Sequence, residues 1–383
     1  MPATKLIRRA VLLAITTMIA LVANLSAGTI PGNSFNQTNL VSNIPGEALT
    51  TDPDLVNPWG IALSSGSPFW ISDNGTGKAT LYNGSGVKQG LVVTVPPPSG
   101  GTPPSAPTGQ IFNGNSSNFG GSHFIFDTED GTVSAWSSGG AAALKVDNSG
   151  SGAVYKGLAM DSTGGNSYLY ATNFHAGTVD VFNSSFTQVS VPGGFSDPTI
   201  PAGYAPFNIA NIGGELFVTY ALQDGAKHDD VAGPGNGFID VFDANGNLLG
   251  RLVSNGDLNS PWGMAIAPVG FGKFAGDLLV GNFGDGTINA YNATSGAFEG
   301  TLDDENGDPI VDEGLWGLTF GNGGSGGATN TLYFTAGIPG PDPNASIEDN
   351  GLFGSIAYTP EPSSLLLLGT GFLGALLPWR KKR

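Results

Sequence analysis

The sequence predicts an all-β fold, a six-bladed β-propeller closed by an N-terminal outer strand. Three observations predict it. An apolar motif, led by Gly in five copies and by Asn in one, recurs six times, each copy is followed by short β-rich segments with tight Gly turns, and no helical periodicity interrupts them.

The elements follow in chain order. Residues 1–27 carry Lys5, Arg8 and Arg9, then an apolar stretch of about 14 residues, then small residues up to Ala27. That is the layout of a secretory signal peptide, and the stretch is short for a membrane span. Residues 36–358 form the propeller. The segment Q-T-N-L-V-S (37–42) precedes the first full unit and is assigned as the outer strand of the last blade. Such closure removes the open sheet edge.

The units are legible by comparison. N-P-W-G-I-A-L (57–63) is followed by F-W-I-S-D-N-G-T-G and K-A-T-L-Y-N. Y-K-G-L-A-M (155–160) and S-P-W-G-M-A-I (260–266) open similar copies, and weaker copies start near Gly109, Asn208 and Gly317. The marker positions 60, 109, 157, 208, 263 and 317 are spaced by 49, 48, 51, 55 and 54 residues. Propellers carry four strands per blade, so each spacing is one blade. The strand after each Tyr/Phe-Asn turn is the fourth; L-V-V-T-V (91–95) has that place in the first unit.

Composition narrows the function. Charged residues are 12% of the 383-residue chain, against about 25% in ordinary soluble domains. Between the two ends, seven cations face thirty acids, a formal charge of −23. Such a body repels nucleic acid, which is excluded as a partner. There is no Cys, so disulfides, thiolate metal sites and Cys nucleophiles are excluded. H-E-x-x-H is also missing, and G-N-G-G-S-G-G (321–327) follows a strand without opening a helix and has no Lys, so it reads as a turn and not as a nucleophile elbow or a phosphate-cradling loop.

The C-terminal segment, 360–383, is an address. Pro360-Glu361-Pro362 is followed by an apolar run over 365–379 and by Arg380, Lys381, Lys382 and Arg383. The run is marginal for a transmembrane helix, and the four cations would hold its end on the cytoplasmic side. Triplet, apolar run and basic cluster together resemble a PEP-CTERM sorting signal. The resemblance implies a bacterial protein, transiently anchored in the inner membrane, that an exosortase-type enzyme cuts near the triplet and releases to the cell surface or extracellular matrix. The body resembles NHL-type and YncE-like six-bladed propellers. The run A-L-Q-D-G-A-K-H-D-D-V-A-G-P-G-N-G-F-I-D-V-F-D (221–243) is similar to a family of uncharacterised exported bacterial propellers with such tails. That resemblance implies a fold and a location, not a reaction.

The turns between second and third strands share one face with the blade-to-blade links. Here it is called the upper face. The long insertion 221–236 belongs there and packs Asp224, Lys227, His228, Asp229 and Asp230 into seven residues. These residues, with His175 from another upper turn, are the expected ligand-binding set. No catalytic residue is assigned. Oxygen-rich loops such as D-D-E-N-G-D (303–308) leave calcium open as a cofactor, but its twelfth place is Gly314, so it is not an EF-hand and no metal site is fixed. Trp59, Trp262 and Trp316, just before marker glycines, are expected to be core rather than sugar-stacking platforms. The expected function is non-catalytic binding of extracellular polysaccharide or a surface protein. The alternative is a metal-dependent hydrolase or lyase working through the upper loops.

Overall fold

Each predicted unit is a four-stranded antiparallel sheet, and the six sheets are arranged as blades about one axis. The computed structural model describes residues 34–360, apart from Pro343 and Ala345. The expected signal peptide (1–27) and Glu361 to Arg383 lie outside the described residues. Blades one to five occupy residues 58–94, 107–147, 155–189, 204–254 and 261–301. Blade six comprises Leu315–Phe320, Thr331–Gly337 and Gly351–Thr359, and its outer strand is Ser34–Ser42. The closing strand pairs antiparallel with Gly351–Thr359, from Ser34 opposite Thr359 to Ser42 opposite Leu352. A short fifth strand, Thr50–Thr51, adds parallel to it before the chain crosses to blade one.

The strands are apolar on both faces because each blade is covered by a neighbour on either side. Phe124, Ile125 and Phe126 are all buried, as are Phe69, Trp70 and Ile71. Buried apolar side chains gather in six inter-blade clusters and a seventh on the axis. Phe35 of the closing strand enters the cluster between blades five and six, so ring closure is hydrophobic as well as hydrogen-bonded.

The marker glycines have a steric cause. Inner strands converge near the axis, and each marker lies against the next blade's inner strand. A Cβ on Gly60, Gly109, Gly157 or Gly263 would run into Thr108 O, Leu158 N, Asn208 Oδ1 or Trp316 O. A Cβ on Gly317 would lie 2.6 Å from Trp59 O, which completes the circle. Asn208 is the one departure, and it uses its side chain to reach across: Nδ2 donates to Trp262 O at 2.7 Å. Gly109→Ala is therefore expected to destabilise by about 1–3 kcal/mol through overpacking against backbone. Urea denaturation checks this; an unchanged midpoint would contradict the close-approach argument.

In every blade the register between first and second strands shifts at the marker. The bulge aims the residue before the marker at the axis. Those residues are Trp59, Thr108, Lys156, Phe207, Trp262 and Trp316. Trp59 and Trp316 stack with centroids 3.4 Å apart, and Trp262 meets both edge-on at 5.9 Å. The three indoles are core, as the sequence led us to expect. Below this plug the axis opens into a channel of about 410 Å³ lined by Ile61, Gln110, Leu158, Ile209, Met264 and Leu318, the residues after the markers.

Candidate functional site at the axial mouth

At the upper end of the axis, two rings of residues face inward. The first is the ring before the markers, and its exception is Lys156. In blade three, Lys156 stands where blades one, five and six place Trp. Its side chain is 2% exposed. The second ring comes from the start of each upper turn. Strand pairing aligns Pro58 with Asp73, Pro107 with Thr128 and Tyr155 with Asn173. The next residue in each unit is Asn74, Glu129, Phe174, and then, in blades four to six, Ala221, Phe283 and Gly337. Phe174, Ala221 and Phe283 join the axial cluster. Glu129 and Asn74 are the polar exceptions, and they meet Lys156.

The ammonium of Lys156 forms a short ion pair with Glu129 Oε1 and lies 3.3 Å from Asp229 Oδ1. It also lies over the Trp59 ring at 5.1 Å and near Phe174 at 5.9 Å, both favourable for a cation. Burial alone would lower its pKa. Glu129 outweighs that, with Asp229 and Glu348 adding, and holds it above the usual lysine value. The other Glu129 oxygen accepts from Asn74 Nδ2 at 2.7 Å. Asn74 Oδ1 accepts from Asn57 Nδ2 at 3.3 Å, and Asn57 Oδ1 accepts from Trp316 Nε1 at 3.0 Å. One chain of hydrogen bonds thus runs through blades six, one, two and three and ends on Asp229 of blade four.

The expected 221–236 insertion supplies His228 and Asp229 to this mouth. Asp224 does so indirectly: its Oδ1 accepts from the backbone N–H of His228 at 2.8 Å and of Asp229 at 3.3 Å, which folds the loop. Lys227 is exposed, with φ +57, and stays out of the cluster. Asp230 is largely buried; burial raises its pKa, and its Oδ2 has no hydrogen-bond partner. His175 lies one residue beyond the axial position of its turn, beside Gly152, and does not join. Among the described residues, Glu129, His228 and Asp229 bring three ligand-type atoms within 4.8 Å of one another. D-D-E-N-G-D is a turn: Asp304 Oδ1 accepts from Asn306 N at 2.8 Å and from Asp308 N at 3.0 Å.

His228 Nδ1 and Asp229 Oδ1 are 2.8 Å apart. This bond, partly opposed by burial, raises the His228 pKa above its ordinary value. The same bond, helped by Lys156, pushes Asp229 down to about 2. Glu348 goes the other way: burial first, then the charge of Glu129, pushes it up to about 7. It sits on the turn Ile347–Asp349, capped by Ser346 Oγ accepting from Glu348 N at 3.2 Å.

The His228–Asp229 pair has a defined pH window. The His228 contribution is complete below about 6.5 and is lost as pH rises through the raised pKa; the Asp229 contribution is complete above about 3.9 and is lost towards pH 2. In an NMR titration, His228 is expected to titrate above 6.5 and to fall back towards it in Asp229→Asn. An identical midpoint in the variant would refute the pairing.

Sequence reasoning missed Lys156 and Glu129, whereas Asn74 and the 338–351 insertion that holds Glu348 are expected on the upper face from the sequence. For the two missed residues the signal was present. Once the units are aligned, they are polar where the axial positions of other units are mostly apolar or Gly.

Comparisons place the chain among known proteins. “Uncharacterized protein R648” of Acanthamoeba polyphaga mimivirus is 36% identical over 296 residues, 73% of this chain and 72% of that protein. The chain belongs to that protein's family. “Uncharacterized protein L690” of the same virus is 35% identical over 298 residues, covering 73% of this chain and 77% of its own length. Kinship with these two brings no activity to the chain. Among solved structures, a structural genomics protein of unknown function from Bacteroides thetaiotaomicron matches with a TM-score of 0.52 at 11% identity, over 85% of this chain and 76% of its own. At that identity the likeness concerns the fold alone. Residues 359–383 match the PEP-CTERM protein-sorting motif. The motif marks an exported, membrane-processed propeller handled by an exosortase-type enzyme. No helix among the described residues is long and apolar enough to cross a membrane.

Proposed function

We propose that the chain is a non-catalytic binding protein of the cell surface or extracellular matrix, and that it takes a neutral polysaccharide at the axial mouth. One observation carries this reading: blades one, two, three, four and six converge donors and carboxylates on a single spot above the axis. Asn74, Glu129, Lys156, His228, Asp229 and Glu348 alternate donor and acceptor groups, the pattern that hydroxyls of a sugar can answer. Hydroxyl donors to a carboxylate make charge-assisted bonds. The acidic body disfavours anionic polymers. A metal ion is a poorer fit, because Glu129 and Asp229 already share the buried ammonium of Lys156.

The test is glycan binding by wild type and by Asp229→Asn/Glu348→Gln, which leaves the buried Lys156–Glu129 pair intact. Each lost carboxylate acceptor costs about 1.5 kcal/mol, about tenfold in Kd. Neutral glycans are expected to bind wild type and to weaken at least that much in the variant. Retention of only anionic glycans, or equal affinity in both proteins, would remove the reading.

A second reading, a hydrolase or lyase, is favoured by one observation. Glu348 is pushed up to about 7 and Asp229 down to about 2 beside the same lysine, the separation an acid–base pair needs. Glu348→Gln separates the two readings: for an enzyme it abolishes turnover of a bound glycan while binding persists.

A further inference from the structure

The two ends of the described chain leave the propeller side by side, on the face opposite the mouth. Inner strands begin at the upper links and run down, so third strands also run down. Gly351–Thr359 is a third strand, and its last residue lies opposite Ser34, the first residue of the closing strand. Both therefore sit on the lower face. The loop 267–277, joining the first two strands of blade five, reaches the same corner. Its Phe271 and Phe274 rings lie 4.8 and 6.0 Å from Phe35, and the Tyr358 ring lies 5.8 Å from Phe35. The corner is thus a packed part of the body and not a loose extension.

The sorting motif starts at Thr359, with no spacer after the sheet. Five residues, 360–364, separate that strand from the apolar run beginning at Leu365. Fully extended, five residues span roughly 17 Å. A body on so short a leash has little freedom to turn over. We propose that, while the sorting segment holds the chain in the membrane, the lower face lies against the lipid surface at the Phe35–Tyr358–Phe271 corner and the axial mouth points away from it. The inference rests on reading 365–379 as a membrane segment. The region expected to be a signal peptide joins at the same edge, so the lower face is nearest the membrane whichever end holds the chain. A ligand then has access to the mouth before the sorting segment is cut.

The absence of Cys makes single-Cys labelling direct. Val269 in loop 267–277 is 96% exposed on the lower face; Val231, in the 221–236 insertion of the upper face, is 39% exposed. Full-length Val269→Cys and Val231→Cys, each carrying a fluorophore, are reconstituted into phosphatidylethanolamine–phosphatidylglycerol vesicles containing a nitroxide-headgroup lipid. Flotation with the vesicles and several-fold stronger quenching at 269 than at 231 is the expected result. Flotation with equal quenching, or with stronger quenching at 231, overturns the orientation and leaves the membrane segment standing. Failure to float overturns both. Glycan binding at the mouth is a separate measurement, and its outcome does not enter this test.

Discussion

Lys156→Met is expected to destabilise the propeller by about 3 kcal/mol, the cost of leaving one member of a buried ion pair uncompensated. The Lys156 side chain is 98% shielded from solvent and the Glu129 side chain 87%, whereas the Asp229 side chain is 66% exposed. Asp229 regains water when the lysine is lost; Glu129 keeps Asn74 as its hydrogen-bond donor and loses its counter-charge. Lys156→Met/Glu129→Gln should recover most of the loss, since a satisfied polar or apolar pair replaces the ionic one at little cost. Met also suits the apolar plug beneath, where Trp59 and Phe174 are its neighbours. Chemical denaturation of both variants decides the matter. A single variant within 1 kcal/mol of wild type, or a double no more stable than the single, would mean that the axial ion pair does not hold the mouth together.

This pair also shows how far the sequence could be read. The marker period gave the blade number because each blade must solve the same crowding problem at the axis, and Gly solves it. The closing strand was legible in 37–42 because blade six runs out of chain at Tyr358 and a propeller leaves no edge unpaired. The bound at Ser34 was not, since nothing in S-F-N distinguishes strand from approach until Phe35 is seen buried between blades five and six. The mouth was half legible. A charged insertion drew attention to His228 and Asp229, but their partners Glu129 and Lys156 lie 100 and 73 residues from Asp229 and meet it only through the curvature of the ring. His175 drew attention because it is the rarer residue type. It follows Phe174, and the turn sends Phe174, not His175, to the axis. Position in the repeat carried more information than chemical type.

Buried acids set the response of the whole ring to pH. Asp312, in the link between blades five and six, is 5% exposed, and burial pushes its pKa up to about 7 even though Gln37 Nε2 donates to its Oδ1 at 2.7 Å. Its Oδ2 has no partner. Gln37 belongs to the closing strand, so this contact ties the first residues of the fold to its last blade. Asp127 is fully buried and is likewise pushed up to about 7 by burial, against the lowering bonds from Thr108 and the Gly109 amide. In both cases the native state holds a proton that the unfolded chain releases near pH 3.9, so stability falls as pH rises from about 4 to about 7 and the loss is complete above that. A shift of about three units corresponds to roughly 4 kcal/mol as an upper figure for each group. Asp312→Asn keeps the acceptor that Gln37 uses and removes the ionisation. It should raise the urea midpoint at pH 8, by roughly 2 kcal/mol in stability after discounting for relaxation around the charge, and leave it almost unchanged at pH 4. Asp127→Asn should behave alike, and the pair should add, because the two acids sit in separate blade junctions and share no hydrogen-bond partner. If instead either variant is less stable than wild type at pH 8, that carboxylate is stabilised in place; for Asp312 the bond from Gln37 is then a charge-assisted one at neutral pH.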